Sequence, residues 1–394
     1  MTFNREVAPK LKSDLNAGRS VLIFGPRQTG KTTLIQTVCA GFDHHLEYFV
    51  QLPSVRAKLE MDPEVLIRET DAAGERPLIF IDEIQKIPVI MDVLQYLLDE
   101  KRITLVASGS STRKLRTSHA NWLPGRIRLE RMYPLTWRES VLVAGKSFDT
   151  KHFYGRLLFG GLPGILSEKN KEDRIDLLTS YTALYLEEEI RQEAVLRRLQ
   201  PFRQFLQLAA MESGTIPNAS KIAGLVGVSH TTVREYYRIL EDSLIIHPIK
   251  SYGKSRSDVL RKPKYYFFDV GVRNAAAGIG HDPGILKFQM GTLFEHHVIL
   301  ELLARGHSLS YWRTKSGQEV DVIVELAGRK VLALEIKSTS NPKATDFSGL
   351  AAFKTSEKCD GAYLVCQVDR AQKFEWGVAL PWWQLSSILW EMKR

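Results

Sequence analysis

The chain has 394 residues, 44% hydrophobic and 25% charged, which is room for two or three domains of ~150 residues and too apolar for a disordered chain. No run approaches ~18 uninterrupted apolar residues, and MTFNREVAPKLKSDLNAGRS lacks the apolar core of a secretory signal, so the expectation is a soluble, cytoplasmic protein with no membrane partner. Cys39, Cys359 and Cys366 show no metal-ligand spacing and argue against a disulfide framework, while a net charge of +9 suits polyanionic partners.

After a short helical N-terminus, SVLIFGPRQTGKTTLIQTVCAGF reads as strand, glycine-bearing loop and helix. LIFIDEIQK (78–86) and ITLVASGSS (103–111) are further continuous apolar strands. Such strands, separated by helical stretches, predict a parallel sheet covered on both faces, an α/β nucleotide-binding domain over 1–150. The pattern over 151–204 turns helical and suits a lid or connector. Over 205–284, helix, tight turn, helix and apolar strand predict a winged helix-turn-helix, with Gly227 in the turn, Ser229 capping the next helix, and Leu225, Val228, Val233 and Leu240 facing the core. Residues 285–394 read as a mixed α/β domain.

Gly25-Pro26-Arg27-Gln28-Thr29-Gly30-Lys31-Thr32 fits G-x-x-x-x-G-K-[ST] in the required strand–loop–helix context, and Thr33 continues it. The glycines let backbone N–H groups wrap the phosphates of ATP at a helix N-terminus; Lys31 pairs with β and γ phosphates, and the Thr32 hydroxyl reaches Mg²⁺. Asp82 is expected to hold the Mg²⁺ water shell, Glu83 to polarise the attacking water, and Ser110 to sense the γ-phosphate. Arg126 is the candidate charge-stabilising arginine, with Arg113, Arg128 and Arg138 as rivals, in its own chain or a neighbouring subunit.

The helix from His230 to Glu241 is a candidate for a major groove, with His230, Thr231, Thr232 and Arg234 near its reading end. Beyond it, Lys250, Lys254, Arg256, Arg261, Lys262 and Lys264 face only Asp258, with Tyr252 and Tyr265 interleaved. That is a phosphate footprint of nucleic acid, DNA above all; a winged helix that contacts protein is the other reading.

EVDVIVELAGRKVLALEIKS reads as a hairpin in which alternation places Glu335 and Lys337 on one face and Leu334 and Ile336 on the other. Pairing brings Asp321, Glu335 and Lys337 together at an accessible edge, where two repelling carboxylates call for Mg²⁺ and Lys337 orients a nucleophile. Glu295, on the amphipathic helix of MGTLFEHHVILELLARG, is expected to supply a third ligand. Helix Glu, strand Asp and strand Glu-x-Lys are the ingredients of a restriction-endonuclease-like core.

Together FGPRQTGKTTL, LIFIDEIQK, SGSS, GRIRLERMYPLTWRES, FGGLPG, YLEEEIR, and GTLFEHHV with EVDVIVE and ALEIKST resemble a prokaryotic set of AAA-type ATPases joined to a C-terminal domain of unknown function. The resemblance covers nearly the whole chain. It implies ATP binding, hydrolysis and a PD-(D/E)XK nuclease-like C-terminal fold, and no particular substrate. The resulting expectation is an Mg²⁺-dependent ATPase coupling nucleotide state to nucleic-acid engagement. Alternatives are a nucleotide-switched regulator whose C-terminal fold is a non-cleaving binding module, and DNA binding without cleavage; a homo-oligomer or a protein partner is compatible with each.

Overall fold

The computed structural model describes residues 3–110, 125–144, 149–186, 199–253, 261–385 and 388–389. Strands β1 (Ser20–Phe24), β2 (His45–Phe49), β3 (Leu78–Asp82), β4 (Thr104–Gly109) and β5 (Ile127–Arg131) form a parallel sheet in the order β2-β3-β4-β1-β5. The central strands are apolar throughout because alternate side chains feed two cores. Leu22, Phe24, Ile79 and Ile81 enter one; Val21, Ile23, Phe80 and Val106 enter the other. Helix Lys31–Cys39 leaves the C-terminal end of β1 after Gly30, whose φ of 91° is open to glycine without strain.

Helices Thr150–Phe159, Pro163–Ser167 and Lys171–Ser180 follow, then a π-turn at Tyr181–Leu186. Helices Ala219–Val226 and His230–Asp242 are joined through Gly227 (φ 72°) and Ser229, whose hydroxyl accepts from Thr232 N–H at 3.0 Å. Val233 and Leu240 face the core as expected, but Leu225 is 61% exposed: it occupies the last turn before Gly227, on the solvent side.

Strands β6 (Ile246–Ser251) and β7 (Lys264–Phe267) form the hairpin after these helices. They do not end as a separate unit. β6 runs parallel to β8 (Leu309–Arg313), pairing Lys250 with Ser310 and Ser251 with Tyr311. With β9 (Glu319–Leu326), β10 (Lys330–Ile336), β11 (Gly361–Cys366), β12 (Gln372–Phe374) and β13 (Gly377–Pro381) they build one eight-stranded mixed sheet, ordered β12-β13-β11-β10-β9-β8-β6-β7. A single hydrophobic core runs from Trp137 through Phe205, Tyr237 and Phe294 to Leu389, drawing on the connector, the helix pair and the C-terminal segment together.

Helix Leu286–Ala304, hereafter the central helix, reads as amphipathic in sequence. Its first turns are open, with Phe288 90% exposed, but from Leu293 onward it is enclosed: Leu293, Phe294, His296, His297, Val298, Ile299 and Leu302 are all buried, because the connector helices cover one side and the sheet the other. The β9–β10 hairpin is likewise covered on both faces. Val322, Val324, Leu332 and Leu334 join the large core; Ile323, Val331 and Ala333 pack against helix Ser348–Ser356 in a smaller one. Among the described residues no helix is long and apolar enough to cross a membrane.

Candidate functional site

The phosphate loop sits at the C-terminal edge of the parallel sheet, where an α/β fold places ligands. Gly25 is required by packing, since a Cβ there would lie 2.3 Å from the Met132 carbonyl. Lys31 is buried, and its ammonium donates to the carbonyls of Gly25 at 2.7 Å and Pro26 at 2.9 Å. Asp82 ends β3 and accepts from Thr32 Oγ1 at 2.9 Å and Ser108 Oγ at 2.5 Å, so the two side chains proposed for Mg²⁺ already meet. These are hard oxygen donors beside a phosphate cradle, which fits that cation.

Glu83 adopts the left-handed conformation (φ 55°), unusual for a non-glycine residue and a mark of strain held by its surroundings. Its N–H donates to Ser108 Oγ at 2.9 Å. Its carboxylate accepts from Ser110 Oγ at 2.8 Å and Gln85 Nε2 at 2.5 Å. Burial pushes the Glu83 carboxyl up, but Lys31, the Gln85 and Ser110 hydrogen bonds and the charge of Arg27 outweigh it, holding the pKa below the ordinary value. The group is a desolvated carboxylate at neutral pH, positioned as a base is. Gln85 carries no sequence signal beyond its place in LIFIDEIQK, two residues after Glu83.

Arg126 is not part of this arrangement within its own chain. β1 and β5 run in register from Ser20 opposite Ile127 to Phe24 opposite Arg131, so Arg126 stands at the edge of the sheet opposite the phosphate loop. There it forms a two-pronged ion pair with Asp99. Of its rivals, Arg128 pairs with Asp14 at 2.8 Å and Arg138 approaches Glu6 at 3.7 Å, while Arg113 lies outside the described residues.

The second cluster is assembled from four elements. A bulge in β9 between its pairings with Ser310 and Trp312 falls at Asp321 and Val322. Beyond it the ladder with β10 stops, and the Asp321 carboxylate accepts the Ile336 N–H at 2.8 Å. Bulges commonly re-aim a side chain in this way. Lys337 Nζ meets Glu335 Oε1 at 2.8 Å. Glu335 Oε2 is buried without a hydrogen-bond partner, and Gly349 leaves it room, since a Cβ there would sit 3.2 Å away. Glu295, on the central helix, accepts from Tyr266 Oη at 2.5 Å, and Lys264 Nζ lies 2.5 Å from Glu319 Oε1.

Lys264 therefore points inward, 6% exposed, and is no part of an outward phosphate footprint. Tyr265 is stacked on Tyr237 and Tyr252 packs on Phe353, so these rings too are engaged within the fold. Lys254, Arg256 and Asp258 lie outside the described residues. His230, Thr231 and Arg234 are exposed at the start of their helix, and Lys250 and Lys262 are exposed beside the hairpin.

Electrostatically the second cluster is the inverse of the first. Burial, then the neighbouring Asp321 charge, pushes Glu335 up to about 8 despite Lys337, and the same two causes push Glu295 up to about 7 despite Lys264 and Tyr266. Burial also raises Asp321. The cluster is a largely enclosed edge: Glu335 is buried, Glu295 and Asp321 are half-buried, and Lys337 is exposed. Among the described residues no group of three or more His, Cys, Asp or Glu is arranged to hold a metal ion. Tyr266 holds Glu295, the Ile336 N–H holds Asp321 and Lys337 holds Glu335.

Residues 17–141 match the AAA domain family, 150–282 a domain of unknown function (DUF8612) and 290–385 a second one (DUF4143). The chain carries an AAA-type P-loop domain. Two uncharacterized proteins are similar along most of their length. One from Mycobacterium tuberculosis is 29% identical over 86% of this chain and 74% of its own; one from Methanocaldococcus jannaschii is 24% identical over 82% and 79%. In fold, the chain is similar to a Walker-type ATPase of Pyrococcus abyssi, with a TM-score of 0.50 at 14% identity, across 70% of this chain and 96% of that one. The AAA domain ends before the connector helices, and the carboxyl cluster draws on both domains of unknown function: Lys264 and Tyr266 come from the first, the acids from the second.

Proposed function

We propose that the chain is an Mg²⁺-dependent ATPase whose nucleotide state governs how a winged helix-turn-helix and a restriction-endonuclease-like C-terminal fold engage nucleic acid, DNA in particular. The observation that carries the ATPase reading is Glu83, ionised and fixed by Ser110 and Gln85, beside the Thr32–Asp82 contact. Residues 25–33 bind the phosphates, Lys31 pairs with them, and Thr32 and Asp82 hold Mg²⁺, which supplies charge neutralisation when bound. Glu83 takes a proton from the attacking water, and Ser110 sits where it can couple Glu83 to the γ-phosphate.

Nucleic-acid engagement is supported by His230, Thr231 and Arg234, exposed at the start of the second helix of the pair, with Lys250 and Lys262 exposed beside the hairpin that follows. The protein-held carboxyls favour a second reading, in which the C-terminal fold is a non-cleaving binding module in a nucleotide-switched regulator, with a protein partner or a second copy as alternatives to nucleic acid. Incubation with Mg²⁺ or Mn²⁺ and single- or double-stranded DNA, with and without ATP, decides between them. Cleavage lost in Asp321→Ala supports the nuclease reading; equal products from both proteins, or none under any condition, leaves the binding module.

A further inference from the structure

Between the two sites runs a chain of charges used by neither, with Glu139 buried, Arg5, Glu301 and Arg305 partly buried and Glu6 at the surface. Arg5 precedes the first helix and is far in sequence from all it touches. Its guanidinium donates to Thr29 O at 2.7 Å, to Tyr133 O at 2.7 Å and to Glu139 Oε1 at 3.1 Å. Glu139 accepts from Glu6 N–H at 2.6 Å and Thr136 N–H at 2.9 Å. The adjacent Trp137 N–H donates to Glu301 Oε1 at 2.6 Å, and Glu301 Oε2 holds Arg305 at 2.6 Å. Arg305 in turn approaches Glu6 Oε2 at 3.9 Å, closing the circuit. Glu301 lies on the central helix, ~9 Å along its axis from Glu295 at 1.5 Å per residue.

The Thr29 carbonyl and the Gly30 N–H belong to one planar peptide and point in opposite directions. In a phosphate loop the N–H side faces the phosphates, so Arg5 grips the far side of the peptide that nucleotide would pull on. A Cβ on Gly30 would sit 3.8 Å from Arg5 Nη1, which shows how closely the guanidinium backs the loop. Buried ion pairs seldom stabilise more than well-packed apolar groups of the same volume, and their best-attested use is to fix registry. Here the registry is that of the phosphate loop against the central helix.

We propose that Arg5 is a positioning residue for the phosphate loop and that Glu139 and Glu301 carry that position to the central helix, coupling bound nucleotide to the helix that bears Glu295. This rests on the ATP-binding reading above. The test is hydrogen exchange of the full chain with and without Mg²⁺ and a non-hydrolysable ATP analogue. Wild type is expected to gain protection at 25–33 and also at 137–141 and 299–305. Arg5→Lys should keep the first, lose the others and bind the analogue about 10-fold more weakly. Glu301→Gln should weaken binding several-fold, and the double variant no more than Arg5→Lys alone, since both act through one path. Protection at 25–33 with no change at 137–141 and 299–305 in wild type overturns the coupling alone. No protection at 25–33 overturns the ATP reading and the coupling with it. Single-variant effects that multiply in the double variant assign Glu301 to a separate path and also overturn it.

Discussion

The phosphate-loop site and the carboxyl cluster both bury acids, yet they treat the charge oppositely. At the first, Lys31 and two hydrogen-bond donors hold Glu83 below its ordinary pKa; at the second, burial and mutual repulsion hold Glu295 and Glu335 above theirs. Burial alone therefore does not decide protonation. What decides it is the balance of neighbours: at Glu83 the charges of Lys31 and Arg27 and two hydrogen bonds outweigh desolvation, whereas at Glu295 and Glu335 the charges of neighbouring acids add to it. The first site keeps its acid ionised at neutral pH, and the second favours the protonated form of its acids.

The contrast can be broken most sharply at its cations. Lys31→Ala should abolish ATP binding, measured by titration with a fluorescent nucleotide, while Glu83→Gln should bind ATP with turnover reduced about 10²–10⁴-fold; normal turnover in the latter would remove Glu83 from its assigned role. Next in size, Lys264→Met removes the buried ammonium that meets Glu319 and faces Glu295, and should cost about 1–3 kcal/mol in denaturant unfolding, with Arg313 still beside Glu319.

A pH titration sharpens the contrast further. Glu295 and Glu335 have folded pKa values raised above the unfolded ~4.3, so the native state binds more protons and stability falls as pH rises from about 4.5 to about 8. Each group contributes a slope of at most ~1.4 kcal/mol per pH unit, and Glu335→Gln should flatten the curve of Tm against pH. A curve unchanged by that substitution would show that Glu335 is already ionised. The smallest effect is expected at Arg126→Ala, where loss of an exposed pair with Asp99 should leave the denaturant midpoint close to wild type and per-chain turnover unaltered. Turnover that falls and depends on protein concentration would instead place Arg126 in a neighbour's site.

Much of the first site was legible because its parts are local: a glycine loop, the strand before it and the helix after it occupy one short stretch, and Asp82 and Glu83 end another. The β9–β10 pairing was also readable, since alternation brings Asp321 and Glu335 together. What sequence did not disclose depends on long-range cover. Lys264 reads as a solvated wing residue among Lys, Arg and Ser, and only the pairing of β6 with β8 turns it inward. Arg126 carries no sign of which sheet edge it occupies until the β1–β5 register is known. The central helix loses its polar face because two layers enclose it, and Arg5 reveals nothing until Thr29, Tyr133 and Glu139 fold around it.

The two-residue parallel pairing of β6 with β8 also has a bearing on biosynthesis. Strands that emerge early from the ribosome must wait for β8 and β9 before the sheet can close, which is slow, non-local assembly. A chain cut at residue 285 would separate β8 from its neighbour and leave an unpaired strand edge, a template for aggregation. The two domains of unknown function are therefore expected to be made, inherited and degraded as one folding unit.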